Sequence, residues 1–352
     1  MGLAKDAEGK QGLRSILLLL IGAGLFVLSA CVTAWPTSGT TSAPVSEKPP
    51  KGEVFRSEDY VVYVMKGGET PRSLAKSFLG DAEKSWIIED TNEGVSFRKG
   101  KAIVVPLKEE NKGGLTARGY QAVPILTYHH FGKDCTSPYC MPTAVFDRQM
   151  RYLKKKGYRV ITLGKLYSFL RYHHAIPKKA VVIAIDDGNK SAYKIALPIL
   201  RKYGYTATLF IYTDFVGVST GAITWDQLRE MKAAGFEIGS HTKSHSDLTK
   251  QREGESDAGY VARVKSELLD SKRLLDKNLG QNTIYLAFPY GRYNERVLAI
   301  SEQVGYRLGF SVKRGGNPFF ADPLRLKRDQ ILKRDMEAFA KRLETFVEFS
   351  LK

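Results

Sequence analysis

The stretch AVVIAIDDG, residues 180–188, decides the fold of this chain. Six consecutive apolar residues run directly into Asp186 and Asp187 and then into a glycine. An uninterrupted apolar run of this length is typical of a parallel strand that is buried on both faces of its sheet. Folds built from such strands carry their active sites at the carboxyl ends of the strands. The two aspartates are therefore candidate functional groups.

Strands and helices alternate on both sides of this stretch, which predicts a parallel α/β sheet or barrel. Polar or turn residues follow several of the predicted strands: His129 and His130, His241, and the Pro289–Tyr290 turn. The predicted strands are 122–128, 159–163, 180–185, 206–211, 236–240 and 284–288, and the predicted helices are 146–156, 190–203, 224–234, 257–278 and 336–349.

One carboxylate and two imidazoles form a ligand set that suits Zn²⁺ or a similar divalent ion and leaves a position open for water. His241 and His245 are four residues apart, so a turn or tight loop aims both at one ion. The second of the adjacent carboxylates, Asp186 and Asp187, is then free to act as a base.

At these positions the chain resembles the polysaccharide deacetylase family, the NodB-homology domains of carbohydrate esterase family four. The resemblance covers residues 123–331 and is carried by segments 185–188, 224–228, 237–245 and 286–291. It implies a distorted (β/α) barrel that removes N-acetyl groups from sugar polymers.

The resemblance also implies roles for individual residues. Asp186 matches the catalytic base of the family, and the backbone N–H of Tyr290 matches its oxyanion contact. The implied metal ligands are Asp187, His241 and His245, with zinc as the expected ion and cobalt or nickel as alternatives.

The chain departs from the family pattern at two places. Ala287 stands where the family often has an arginine that orients the base, and Arg292 and Arg328 are the candidates to replace it. The usual late histidine acid is missing as well. We expect His129 to be the acid, with His130 as second choice, because His173 and His174 precede a strand. The segment 124–129 also resembles the family branch that acts on poly-N-acetylglucosamine exopolysaccharide.

Aromatic and cysteine residues complete the candidate site. Trp225, Tyr290 and Pro289 are predicted to contact substrate, and buried packing is the alternative for Trp225. Cys135 and Cys140 are predicted to form a disulfide that locks their loop, because the chain carries an export signal.

The amino terminus has the features of a lipoprotein signal peptide. An apolar run at 16–28, too short to span a bilayer, follows basic residues and ends in Leu28-Ser-Ala-Cys31, which resembles a lipobox. We expect residues 1–30 to be removed and Cys31 to carry lipid. The predicted location is the outer membrane of a bacterium, facing the periplasm, with residues 31–58 as a flexible linker.

Residues 59–108 resemble a LysM domain in their order of strand, helix, helix and strand. The resemblance implies binding of N-acetylglucosamine polymers such as peptidoglycan. A second linker, 109–121, leads to the predicted deacetylase domain at 122–352.

The 352 residues carry a formal charge of +17, which excludes an acidic solvating protein and favours an anionic surface nearby. Nucleic acid is not an expected partner, because no nucleic-acid-binding motif is present. The predicted function is metal-dependent N-deacetylation of peptidoglycan or exopolysaccharide. The alternative is a glycan-binding lipoprotein with a catalytically degenerate barrel.

Overall fold

The structure, a computed structural model, describes residues 52–109 and 111–349. The predicted signal peptide, Cys31 and most of the first predicted linker lie outside these residues. Among the helices that are described, none combines the length and the apolar character needed to cross a membrane.

Residues 53–106 form a small α+β module around an antiparallel sheet of order β1-β2-β3. Thr70 caps the first helix in a reciprocal pair of hydrogen bonds with Ser73, and Pro71 takes the first helical position. The strand β1 precedes the strand, helix, helix and strand that the sequence predicted. The elements are β1 (Glu53–Arg56), β2 (Tyr60–Val64), α1 (Pro71–Leu79), α2 (Ser85–Thr91) and β3 (Ala102–Pro106).

The rest of the described chain alternates strands with helices. Its strands are β4 (Leu115–Thr116), β5 (Gly119–Gln121), β6 (Ile125–Tyr128), β7 (His130–Gly132), β8 (Cys140–Pro142), β9 (Arg159–Val160), β10 (Ala180–Asp187), β11 (Thr208–Ile211), β12 (Glu237–Ser240), β13 (Tyr285–Ala287), β14 (Leu308–Phe310), β15 (Asp329–Gln330) and β16 (Phe346–Glu348). Its helices are α3 (Thr143–Lys155), α4 (Leu163–Leu170), α5 (Leu197–Tyr203), α6 (Trp225–Ala233), α7 (Asp257–Leu279), α8 (Glu295–Val304) and α9 (Met336–Ala340).

A parallel sheet of order β14-β13-β12-β11-β10-β6-β15 forms the centre of this larger part, and β9 pairs with β10 beside it. The segment that contains β15 contacts both ends of the sheet. Leu326 forms a parallel bridge with Phe310 of β14, and Asp329 and Gln330 pair with β6. The sheet therefore curves back on itself, which agrees with the predicted distorted (β/α) barrel.

The strand register explains why polar residues gather at one edge of the sheet. Asp187 is paired with Ile211, Ile211 with Ser240, and Ser240 with Leu286. The four neighbouring strands thus end at the same height in the sheet. Residues that directly follow these strands, such as His241, emerge at the same carboxyl edge.

One predicted helix is largely wrong. Residues 336–349 contain only the short helix α9, and Phe346–Glu348 form the strand β16, which pairs with β5 in an antiparallel sheet. The helical spacing of apolar residues stops after Leu343. The following Phe346-Val347 pair favours extended backbone, and pairing with β5 satisfies its hydrogen bonds.

The small module contacts the barrel at the amino ends of the strands. Arg159 at the start of β9 pairs with Glu89 and, at 3.0 Å, with Asp90 of α2. Lys178 donates its backbone N–H to Asp90 at 2.9 Å, and its ammonium pairs with Glu93 at 3.1 Å. The module therefore lies at the end of the barrel opposite the polar edge.

Residues 326–330, which contact both ends of the sheet, form the closing segment. From this segment the Arg328 side chain extends into the inside of the barrel. Its side chain is fully buried; Nη1 donates to Asp186 at 2.8 Å, and Nε donates to the carbonyl of Ser311 at 3.0 Å. The guanidinium carbon lies 5.3 Å from the ring centroid of Phe210 and 6.0 Å from that of Phe310. The arginine thus links the closing segment to the centre of the sheet.

We expect Arg328→Met to lower the free energy of unfolding by about 3–5 kcal/mol, because it leaves the buried Asp186 charge without its partner. Arg292→Met is the matched control, since the Arg292 side chain is 56% exposed where it pairs with Asp247. That exposed pair should contribute no more than about 1 kcal/mol. Urea denaturation measures both changes.

The double variant Asp186→Asn/Arg328→Met tests the cause of the loss. It should be more stable than Arg328→Met alone, because the orphaned charge is gone. Equal unfolding midpoints for Arg328→Met and Arg292→Met would contradict a structural role for the buried pair.

Candidate active site

A cavity of about 340 Å³ lies at the carboxyl edge of the barrel strands. It brings together most of the residues that the sequence singled out. Its lining residues are His129, His130, Ser137, Tyr139, Asp186, Asp187, His241, His245, Phe288, Tyr290, Gly291, Val312, Arg328 and Gln330.

Three side chains in this cavity form a group able to hold a metal ion. One ligand atom from each of Asp187, His241 and His245 lies within 4.8 Å of the others. Nε2 of His241 is 3.7 Å and Nε2 of His245 is 3.6 Å from Oδ1 of Asp187. One carboxylate and two imidazoles match the donor set of a divalent transition metal.

The tautomer of His241 is set by the backbone. Its Nδ1–H donates to the carbonyl of Ala287 at 2.7 Å, which leaves the lone pair of Nε2 directed towards the carboxylates. Burial lowers the pKa of His241 to about 3 and also lowers the pKa of His245. Both imidazoles are therefore neutral near pH 7, which is the form that binds metal.

The two adjacent aspartates have different environments. Burial alone would raise the pKa of Asp186, but the positive charge and the hydrogen bond of Arg328 oppose it, and the pKa lies below its ordinary value. Burial and the charge of Asp186 raise the pKa of Asp187 to about 6. A cation beside Asp187 would offset both effects, and Asp186 is ionised without one.

Two arginines were candidates to replace the one that the family often has where this chain has Ala287. Of these, Arg328 is the one that contacts Asp186. It reaches Asp186 at 2.8 Å, whereas the other candidate, Arg292, pairs with Asp247 at 2.7 Å. Ala287 also serves the site through its backbone, as the acceptor for His241.

Left-handed backbone is concentrated around the cavity. Asp187, Thr242, His245 and Tyr290 have φ angles of 76°, 67°, 62° and 58°. A regular strand points successive side chains to opposite faces, so two adjacent carboxylates would not share one site. The turn at Asp187 breaks that alternation at the end of β10.

Glu267 of α7 fixes the loop between the two histidines, although nothing in the sequence marked it. Its buried carboxylate accepts hydrogen bonds from the backbone N–H groups of Lys243 and Ser244 at 3.2 and 2.9 Å, and from the Ser244 hydroxyl at 2.6 Å. The hydroxyl of Thr242 accepts the N–H of His245 at 3.2 Å. These bonds set the position of His245 relative to His241.

The two histidines predicted as acids both lie at the cavity, whereas His174, which the sequence set aside, lies at the other end of the barrel. His129 and His130 line the cavity, while His174 is paired with Glu109 at 3.0 Å, near the small module. Burial lowers the pKa of His129, and the charges of Asp186 and Asp187 oppose that change.

Of the residues predicted to contact substrate, not all lie at the cavity. Tyr290 lines the cavity and is 57% exposed; its ring lies edge-on to that of His245, with centroids 4.8 Å apart, and the buried Pro289 precedes it. Trp225 is not brought to the cavity. It begins α6 and packs against the core between helices and sheet, which was the alternative for this residue.

A disulfide joins Cys135 and Cys140 next to the cavity. The loop that it closes contributes Ser137 and Tyr139 to the cavity lining. Neither residue was singled out in the sequence, although the two cysteines bracket both.

Comparison with known proteins places the chain among enzymes of one family. The polysaccharide deacetylase family model matches residues 173–309. YxkH of Bacillus subtilis (strain 168), which bears the name of the same family, is 32% identical over 219 residues, covering 61% of this chain and 74% of that protein.

Two further proteins are similar. The poly-beta-1,6-N-acetyl-D-glucosamine N-deacetylase of Staphylococcus aureus (strain MRSA252) is 30% identical over 180 residues, covering 50% of this chain and 62% of that enzyme. The structure of the Streptococcus pyogenes deacetylase PplD in complex with acetate has a TM-score of 0.57 and 31% identity, covering 63% of this chain and 98% of PplD. The chain therefore belongs to the polysaccharide deacetylase family, and its enzyme class is polysaccharide N-deacetylase.

Proposed function

We propose that this enzyme uses a divalent metal ion to remove N-acetyl groups from a polymer of N-acetylglucosamine. The observation that carries the proposal is the convergence of Asp187, His241 and His245 beside a second, ionised carboxylate, Asp186, in one cavity. Hydrolysis of an amide needs a nucleophile, a base and an acid, and this cavity offers residues suited to each task.

Asp187, His241 and His245 would hold the ion, which we propose to be zinc, with cobalt or nickel as alternatives. A divalent ion of this kind, when bound, polarises a carbonyl and makes a water acidic enough to lose a proton near pH 7. The neutral imidazoles and the oriented Nε2 of His241 suit this ion.

Asp186 is the proposed base that takes the proton of the attacking water. Its bond to Arg328 keeps it ionised and fixes its orientation. The Tyr290 backbone N–H is the proposed contact for the developing oxyanion, and one donor of this type typically contributes about 3–4 kcal/mol. His129, in its protonated form, is the proposed donor of the proton that the leaving amine takes up.

We propose β-1,6-linked exopolysaccharide as the substrate in preference to peptidoglycan. The similar Staphylococcus aureus enzyme is named for poly-beta-1,6-N-acetyl-D-glucosamine. The segment that ends in Tyr128 and His129 supports the same assignment.

The small module is a candidate glycan-binding domain. We propose that residues 59–108 are a LysM domain that binds N-acetylglucosamine polymer; Asn92 ties α2 to β3 there through bonds to Val104 at 2.7 and 2.9 Å. Failure of the chain to co-sediment with insoluble peptidoglycan or chitin would contradict this role.

We also propose lipid attachment at Cys31 and placement on the outer membrane, facing the periplasm. The lipobox-like Leu28-Ser-Ala-Cys31 supports this assignment. Mass spectrometry of the mature protein should show Cys31 as a lipid-modified first residue.

The protein should release acetate from poly-β-1,6-N-acetylglucosamine, lose activity after dialysis against a chelator, and regain it with Zn²⁺, Co²⁺ or Ni²⁺. Peptidoglycan and chitooligosaccharide are the comparison substrates. No acetate from any of them with any metal, combined with retained glycan binding, would instead support the alternative of a degenerate, glycan-binding barrel.

Two isosteric variants separate the base from the metal ligand. Asp186→Asn should keep bound metal but lower kcat by about 10²–10⁴-fold, because it removes proton transfer. Asp187→Asn should lose metal and activity together. Metal content by elemental analysis and initial rates of acetate release measure the difference, and equal metal loss in both variants would reject the assignment.

His129→Ala should lower kcat for N-acetyl substrates by about 10²–10⁴-fold while metal content stays unchanged. Turnover of 4-nitrophenyl acetate should be nearly preserved, because its leaving group departs without a proton. His130→Ala tests the second choice for the acid, since His130 lines the same cavity. If both variants keep the wild-type kcat on N-acetyl substrates, another group protonates the amine.

A further inference from the structure

Two exposed tyrosines stand at different sides of the cavity mouth. Tyr139 is 46% exposed and lies edge-on to the ring of His129, with centroids 4.8 Å apart. Tyr290 likewise lies edge-on to the ring of His245, with centroids 4.8 Å apart. The strands β10 and β11 separate β6, which His129 follows, from β12, which precedes His245. The mechanism uses the backbone of Tyr290, and it gives no task to the Tyr139 side chain.

The backbone that carries Tyr139 is held at several points. The Cys135–Cys140 disulfide closes its loop, and the Tyr139 carbonyl accepts the N–H of His130 at 3.3 Å. The backbone N–H of Tyr139 donates a hydrogen bond to the Ser137 hydroxyl at 3.2 Å. Arg334 donates to the Cys135 carbonyl at 2.7 Å from outside the loop.

An exposed aromatic ring on a fixed backbone is a preorganised binding element. Tyrosine offers a large apolar face and a hydroxyl, and few of its torsions must be frozen on binding. A loop that is already closed covalently also avoids the entropic cost of ordering the contact. Tyr139 therefore presents a ready surface at the edge of the reaction cavity.

We propose that Tyr139 packs its ring against a pyranose ring of the substrate polymer, and that the Cys135–Cys140 disulfide holds it in place for that contact. A pyranose ring has an apolar C–H face and polar hydroxyls, which complements tyrosine. This inference rests on the proposed function, because it requires a sugar polymer in the cavity.

The test is steady-state acetate release from N-acetylglucosamine oligosaccharides. Tyr139→Ala should raise KM roughly two- to tenfold with kcat almost unchanged, whereas Tyr139→Phe should retain the wild-type KM because the ring remains. Cys135→Ser/Cys140→Ser should raise KM in the same way. Tyr172→Ala is the matched control, since Tyr172 is 53% exposed and follows α4, at the opposite end of the barrel.

The outcomes separate the two proposals. Acetate release by the wild type with an unchanged KM in Tyr139→Ala would overturn the role of Tyr139 alone. A fall in kcat at constant KM would also overturn it, because Tyr139 would then act only through His129. No acetate from the wild type on any oligosaccharide would overturn the proposed function and, with it, the sugar contact.

Discussion

The buried ion pair between Asp186 and Arg328 is the interaction on which both the barrel and its site depend. The two residues are 142 positions apart, and their side chains are almost wholly removed from solvent. Burying either charge alone costs several kcal/mol, so each tolerates its place only because the other is present. The pair forms only when the closing segment contacts β14 and β6. Closure of the barrel and ionisation of the proposed base are thus coupled.

The site around that pair is built from unfavourable backbone that the rest of the fold maintains. Each non-glycine residue in the left-handed region costs about 1–3 kcal/mol, and four such residues surround the cavity. The conformations persist because neighbouring groups determine them: Glu267 holds the turn between His241 and His245, and the Ala287 carbonyl orients His241. Helix α7 therefore contributes to the site without supplying a residue that lines it.

The sequence could identify this edge of the sheet because its signals are local. A continuous apolar strand that ends in Asp186 and Asp187, and a histidine pair after another strand, need no knowledge of distant contacts. The choice between Arg292 and Arg328 had no such signal, since it depends on which segment closes the barrel. The helix predicted over 336–349 was largely wrong for the same reason. The pairing of β16 with β5 is a contact between residues far apart in sequence, and no local signal marks it.

The two departures from the family pattern are connected by this topology. Side chains from several strands reach the interior of such a curved sheet at one height, so Arg328, on the segment that pairs with β6, can contact Asp186 of β10 two strands away. Likewise His129 follows β6, the direct neighbour of β10, and reaches the same cavity as a residue from a later strand would. Loss of a motif residue therefore does not imply loss of its role. The decisive question for such a barrel is which side chains surround the carboxylate, whatever their order in the chain.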